Sequence, residues 1–243
     1  MEYSPTEYWL ARGKGYFGEF RNHGWVESSR FKWQEKNVVR FLKTLSFGTV
    51  LDVGCGFGRI TKLILDNFGV KRMVAFDVSP EQIENAQRYV NSNRVEFKVS
   101  AIEDYPWEKE SFDLVFSGEV LMHLPPSMIL DVMRRMVLAA KKYVVNVDWF
   151  EPGLVGSESG GFCFAHDYTV LFGQVGVEVV SQEMKKPILS ILLPRLRIRQ
   201  RIFCASKKSD RKEIREDEDK DPAPHELERD QALLGGRSSV VEE

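Results

Sequence analysis

The sequence has few cysteines, no long apolar run and almost no net charge, and each shortage excludes a class of protein. Cys55, Cys163 and Cys204 are odd in number, far apart and outside any Cys-x-x-Cys pair, so they build neither a disulfide framework nor a zinc ribbon. No cluster of metal ligands stands out, and no metal is expected. Ser190 interrupts the apolar stretch Ile188-Leu189-Ser190-Ile191-Leu192-Leu193, which falls far short of the roughly 20 residues that span a bilayer. The start, Met1-Glu2-Tyr3-Ser4-Pro5, lacks the basic and apolar regions of a secretion signal. A cytoplasmic protein is expected. With 34 Lys+Arg against 36 Asp+Glu, nothing global attracts nucleic acid or an anionic membrane, so binding a polyanion would need a local basic patch.

What is present is enough for one large core: 243 residues, 43% of them hydrophobic. Three segments are expected. Residues 207–243 carry 8 basic and 12 acidic side chains with hardly a periodic apolar residue, which predicts a disordered charged tail. Residues 1–46 form an aromatic-rich cap or lid segment, with Tyr8, Trp9, Tyr16, Phe17, Phe20, Trp25, Phe31 and Trp33, and a helix over about 32–45. Residues 47–206 alternate short β-rich runs with helical stripes, as a parallel sheet with crossover helices does.

The strand candidates are Thr49–Val53, Arg72–Phe76, Val95–Val99, Phe112–Ser117 and Tyr143–Asp148, with two last strands near 177–182 and 197–205. The first five are nearly continuous in apolar residues, the pattern of strands buried on both faces. Between them, Ile60-Leu63-Ile64, Ile83-Ala86-Val90 and Met128-Ile129-Val132-Met133-Met136 recur at helical spacing. Ser79-Pro80-Glu81-Gln82 supplies an N-cap hydroxyl and a proline at the first helical position. The expected architecture is a seven-stranded, doubly wound α/β sheet in three α/β/α layers.

The sharpest feature is Val50-Leu51-Asp52-Val53-Gly54-Cys55-Gly56-Phe57-Gly58, a buried strand running into Gly-x-Gly-x-Gly and then a helix. Glycines there permit positive φ and remove Cβ atoms where a nucleotide-like ligand must pass, and the helix offers free N–H groups. The dinucleotide spacing Gly-x-Gly-x-x-Gly would need glycine where Arg59 stands, so the loop departs from the NAD type. The second strand ends in Asp77, whose carboxylate can accept both hydroxyls of a ribose and would repel a 2′-phosphate.

These residues resemble the class I S-adenosylmethionine-dependent methyltransferases, within the broad group of the ubiquinone and menaquinone methyltransferases. Val50–Gly58 is similar to their first motif, Asp77 to the ribose-binding acid, and Phe112-Asp113-Leu114-Val115-Phe116-Ser117-Gly118-Glu119-Val120-Leu121-Met122-His123-Leu124 to their fourth-strand motif. The resemblance covers about residues 40–205 and implies the Rossmann-like class I fold, with S-adenosylmethionine as cofactor and S-adenosylhomocysteine as product. It implies that Gly54, Cys55 and Gly56 approach the methionine part, that Asp52 organises its ammonium end, that Val78 packs on adenine, and that Ser117 and Gly118 lie along the methionine arm. Many relatives carry Gly-Asp-Ala after the third strand, where this chain has Ser100-Ala101-Ile102. Adenine is then left to backbone groups at Ala101 and the apolar wall of Ile102, or to Glu103 reaching back.

Methyl transfer from a sulfonium needs a well-placed acceptor, and a base only where the acceptor must lose a proton. His123 and His166 are the candidate bases, with Asp148, Glu151 and Glu119 as carboxylates that could orient an acceptor. His123 has a packing alternative beside Pro125-Pro126, whereas Asp167 is expected to cap the helix from Tyr168 and so to hold His166 at the mouth of the site. Residues 1–46 and 151–165 are expected to lie over the methyl group as a lid.

Residues 184–208 carry eight basic side chains and no acidic one. In Arg195-Leu196-Arg197-Ile198-Arg199-Gln200-Arg201-Ile202 arginine alternates with apolar residues, which predicts an edge hairpin with its arginines in water. The same stretch could rest on an anionic membrane or track RNA. The expected function is methyl transfer to an oxygen or nitrogen of a small or lipid-linked molecule. The alternatives are an RNA (tRNA) methyltransferase using the basic hairpin, and a non-catalytic cofactor-binding partner subunit.

Overall fold

The computed structural model describes residues 3–22, 29–184 and 200–207. The 207–243 tail, apart from Lys207, and most of the basic 184–208 stretch therefore lie outside the described residues, as does Trp25. Three helices lead: α1 (Pro5–Gly13), α2 (Tyr16–Asn22) and α3 (Ser29–Leu42). Ser4 caps α1, its hydroxyl accepting from the Glu7 N–H with proline at the first helical turn. α3 begins and ends about a turn earlier than its sequence pattern predicts.

The body then alternates β1 (Thr49–Val53), α4 (Arg59–Asn67), β2 (Arg72–Asp77), α5 (Pro80–Val90), β3 (Val95–Val99), β4 (Phe112–Gly118), α6 (Pro126–Ala139) and β5 (Ala140–Trp149). A two-stranded hairpin, β6 (Glu158–Ser159) and β7 (Cys163–Phe164), precedes α7 (Tyr168–Gln174), β8 (Glu178–Glu183) and β9 (Gln200–Ser206). Seven strands make one sheet in the order β3-β2-β1-β4-β5-β9-β8. The first five are parallel, and β9 runs antiparallel between β5 and β8. Helices α3 and α4 pack on one face against Leu114, Phe116, Tyr143 and Val145. Helices α6 and α7 cover the other, against Val74, Val115, Val144 and Phe203. This is the doubly wound, three-layer architecture of the Rossmann-like class I fold. Winding reverses between β1 and β4, which opens a crevice beyond their carboxyl ends.

One expectation is corrected. β3 is not buried on both faces: it is the sheet's edge, and Val99 is 53% exposed. The antiparallel pair of β9 and β8 forms the other edge, where Arg201 rests its guanidinium 5.0 Å over the Phe150 ring. At the amino ends of β1 and β4 the Asp113 carboxylate accepts from the N–H groups of Gly48 and Thr49 at 2.9 Å, while the Asp113 N–H donates to Thr49 Oγ1 at 2.8 Å. Partial burial works against its charge, yet these donors hold Asp113 below the usual carboxylate range. Among the described residues no helix is long and apolar enough to cross a membrane.

Candidate functional site

At the carboxyl end of β1 the chain turns through Gly54, Gly56 and Gly58, all at positive φ (68°, 54° and 86°). Each glycine answers a different neighbour. A Cβ on Gly54 would lie 2.6 Å from Val120 Cγ2, and one on Gly58 would lie 2.7 Å from Val90 Cγ2, so these two let β4's exit and α5 come close. At Gly56 the same Cβ would meet only open space, which leaves a bare stretch of backbone facing the crevice. Asp77 clamps the loop: Oδ2 accepts from the Gly56 N–H and Oδ1 from the Ser79 N–H, both at 2.9 Å. Burial pushes the Asp77 carboxyl up, and these N–H donors oppose it. Burial likewise pushes the Cys55 thiol well above its usual range.

Over this loop lies a cavity of about 190 Å³. Of the residues expected around a cofactor, Gly54, Cys55, Gly56, Asp77, Val78, Ile102 and Gly118 line it. Asp52, Ala101 and Ser117 do not, which corrects their expected direct contact. Asp52 is 2% exposed beneath the loop, where it accepts from Thr61 Oγ1 at 2.6 Å. Burial pushes its carboxyl up to about 7, Thr61 opposing and nearby Asp77 adding to the rise. Ser117 is fully buried in β4. The Ala101 carbonyl accepts from the N–H groups of Asp104 and Tyr105, and this turn leaves Ser100 and Ile102 to line the cavity on either side. Glu103 does not line it; its carboxylate accepts at 3.2 Å from Oγ1 of Thr6, which does.

The rest of the cavity draws on aromatics of the amino-terminal segment and on Arg59, whose role sequence reasoning missed. Trp9, Tyr16, Phe20 and Phe31 wall it, and Arg59 and Glu119 bring opposite charges into it. Arg59 reaches Glu35 at 3.0 Å and Glu119 at 3.7 Å, lies 4.5 Å over the Phe31 ring, and hydrogen-bonds Gln34. Glu119, at φ 60°, also accepts from Gln200 at 2.5 Å and Arg30 at 3.2 Å. A non-glycine residue held in the left-handed region is strained, and such strain gathers at functional sites. Burial, with Glu119 adding, pushes the Tyr16 hydroxyl up to about 12. The signal that could have found Arg59 is its place directly after the last loop glycine, in the first turn of α4.

Of the two candidate bases only His123 lines the cavity. Its Nδ1 lies 2.8 Å from the Phe162 carbonyl oxygen. A carbonyl can only accept, so Nδ1 carries the proton; burial lowers the ring's pKa and keeps it neutral, leaving Nε2 with a bare lone pair. Trp9 meets the ring edge-on at 4.7 Å, and the Tyr3 hydroxyl donates to the His123 carbonyl at 3.0 Å. His166 is 7% exposed, lies off the cavity and donates from Nε2 to the Leu124 carbonyl at 2.9 Å. It ties the segment before α6 to the one before α7, which corrects its expected place at the site's mouth. Asp167 caps α7 as its sequence predicts, accepting from the Val170 N–H at 3.1 Å. Asp148 is fully buried off the cavity, accepting from Asn146 Nδ2 at 3.3 Å, and burial pushes its carboxyl up to about 7. Among the described residues none of 151–165, Glu151 included, lines the cavity, so this segment backs His123 instead of covering the crevice.

Residues 50–142 match the methyltransferase domain family. That segment is a methyltransferase domain, and the matches support a class I S-adenosylmethionine-dependent methyltransferase. Malonyl-[acyl-carrier protein] O-methyltransferase of Acetivibrio thermocellus is 43% identical over 69 residues, 28% of this chain and 24% of that relative. N-terminal Xaa-Pro-Lys N-methyltransferase 1 of Bos taurus is 31% identical over 136 residues, 53% of this chain and 60% of the relative. The chain thus spans about a quarter of the first relative's length and three-fifths of the second's. Magnesium protoporphyrin IX methyltransferase from Synechocystis PCC 6803, solved with bound SAH, has the same fold, with a TM-score of 0.62 at 16% identity, covering 84% of this chain and all of that one.

Proposed function

We propose that this methyltransferase moves a methyl group from S-adenosylmethionine to an oxygen or nitrogen atom of a small or lipid-linked molecule by direct in-line displacement. The observation that carries the reading is the union, in one cavity, of a bare glycine backbone clamped by Asp77 with a neutral His123 whose tautomer is fixed. The residues present fit the cofactor. The space beside Gly56 admits it, and Asp77 Oδ1 and Oδ2 each keep a lone pair for a ribose hydroxyl. Val78 and Ile102 offer apolar walls for adenine, and Gly118 leaves room along the methionine arm. The Arg59 and Glu119 pair matches the carboxylate and ammonium of an amino-acid head. S-adenosylmethionine supplies the electrophilic methyl carbon. His123 takes the acceptor's proton at Nε2, while Trp9, Tyr16 and Phe20 exclude water and favour an apolar acceptor body. One relative is named for O-methylation and the other for N-methylation, in keeping with that range.

Calorimetric titration of the full chain with S-adenosylmethionine, S-adenosylhomocysteine and NAD tests the reading. Micromolar binding of the first two and none of NAD is expected. Asp77→Ala should weaken binding by about 1–3 kcal/mol, or roughly 5- to 150-fold. Binding of NAD alone, or unchanged affinity in a folded Asp77→Ala protein, overturns it.

A further inference from the structure

Arg59 and Glu119 carry opposite charges into the cavity, yet they stand 3.7 Å apart. A guanidinium and a carboxylate that are free to meet close to about 2.7–2.9 Å. Here each partner is pulled the other way. On the Arg59 side, Nη1 donates to Glu35 Oε1 at 3.0 Å, Nη2 donates to Gln34 Oε1, and the guanidinium lies 4.5 Å over the Phe31 ring. All three of these neighbours belong to α3. On the Glu119 side, Oε1 accepts from Gln200 Nε2 at 2.5 Å and from Arg30 at 3.2 Å.

Two glutamines join the sides. Gln34 Nε2 donates to Gln200 Oε1 at 3.1 Å, which closes a ring through Arg59, Gln34, Gln200 and Glu119, drawn from α4, α3, β9 and the exit of β4. The direction of every hydrogen bond in it is fixed. A guanidinium has only donors, so Gln34 turns its oxygen to Arg59 and its amide nitrogen to Gln200, and Gln200 offers its own nitrogen to the Glu119 carboxylate. Neither amide can flip without setting donor against donor or acceptor against acceptor. Gln34 is 2% exposed, so water does not replace a lost partner there. The two charged residues line the cavity, while the two glutamines stand behind them.

We infer that Gln34 and Gln200 are positioning residues that hold the Arg59 and Glu119 pair open, so that a zwitterion can enter it with its carboxylate on Arg59 and its ammonium on Glu119. The inference rests on the cofactor reading given above. Without the ring the two side chains close into a direct pair, and their bonds go to each other instead of to the ligand. Recognition of the cofactor's amino-acid end then depends on α3 and β9, two elements outside the glycine loop and the strand that ends in Asp77.

Calorimetric titration of the full chain with S-adenosylhomocysteine and with 5′-methylthioadenosine, which keeps the nucleoside and the sulfur but lacks the amino-acid head, tests this. The wild type should bind S-adenosylhomocysteine more tightly by about 10-fold or more. Gln34→Met and Gln200→Met, close to glutamine in volume, should each lower affinity for S-adenosylhomocysteine by roughly 10-fold, while affinity for 5′-methylthioadenosine changes by less than about twofold. A residue that only supports the fold would move both ligands together, so an equal loss of both overturns the inference. Wild-type affinity for S-adenosylhomocysteine in both variants overturns it as well. A wild type that binds the two ligands equally shows that the charged pair does not read the head, and the inference falls while the cofactor reading stands. A wild type that binds neither ligand overturns both.

Discussion

The floor and the roof of the cavity are built on different terms. The floor, Gly54 to Gly58 with Asp77, is main chain held by one side chain: N–H groups of Gly56 and Ser79 point at the Asp77 carboxylate, and glycines take conformations that side-chain-bearing residues avoid. The roof and far wall are side chains brought from α1, α2, α3, α4 and the segment after β4, backed by β9 and the β6–β7 hairpin and joined by ion pairs and ring contacts. The difference teaches where change is tolerated. A floor residue serves fold and ligand together, whereas a roof residue can alter chemistry and leave the sheet untouched.

The most forceful test of that division is His123→Asn. The asparagine Nδ2 stands where Nδ1 was and can keep the bond to the Phe162 carbonyl, so unfolding stability should hold within about 1 kcal/mol. The base is gone, and production of S-adenosylhomocysteine with a turned-over acceptor should fall by about 10²- to 10⁴-fold. A retained rate would move proton removal to another group, or to none.

Next in size is Asp148, buried behind the roof. Its folded pKa of about 7 lies above the ordinary 3.8, so the folded state favours the protonated acid. That contribution is fully present below about pH 4 and is lost as pH rises toward 7 and beyond. Asp148→Asn imitates the protonated acid. It should match the wild type in thermal melts near pH 4 and exceed it at pH 8 by up to a few kcal/mol. An equal shift at both pH values would mean that the carboxylate is not what burial penalises.

The smallest effect is expected from Thr61→Val, which removes the hydroxyl that Asp52 accepts from under the floor. Stability should drop by about 1–2 kcal/mol, because a buried carboxylate loses a donor. Affinity for S-adenosylhomocysteine should change by less than about threefold, since Asp52 does not line the cavity. A loss of affinity as large as that of Asp77→Ala would show that floor and ligand are coupled through Asp52.

Much of the floor was legible in the sequence because its elements are local. Strand, glycine turn, helix and acidic strand end follow one another within residues 49–77, and their backbone demands leave few residue types possible. The roof was not. Arg59 reads as a departure from a dinucleotide spacing until α3 brings Glu35 and Phe31 to it. His166 sits beside a correctly predicted cap, yet its ring turns to the Leu124 carbonyl, a contact 42 positions away that no periodicity encodes. The first strands were legible from their apolar runs, but β3 reads like the others while lying at the edge, since strand order is set by crossover packing and not by composition.

The Asp113 clip lies at the other end of the sheet from all of this, and its consequence concerns alignment. Val50-Leu51-Asp52-Val53 and Leu114-Val115-Phe116-Ser117 are both mostly apolar and could slide past one another by two residues without any side chain changing face. Such a slip, about 6–7 Å, would carry Val120 away from Gly54 and Glu119 away from Arg59. Two N–H donors and a returned bond to Thr49 Oγ1 fit one stagger only. The clip therefore works as a ruler: it sets at the quiet end of the sheet the distances on which the busy end depends, and it leaves the loops at that end free to diverge.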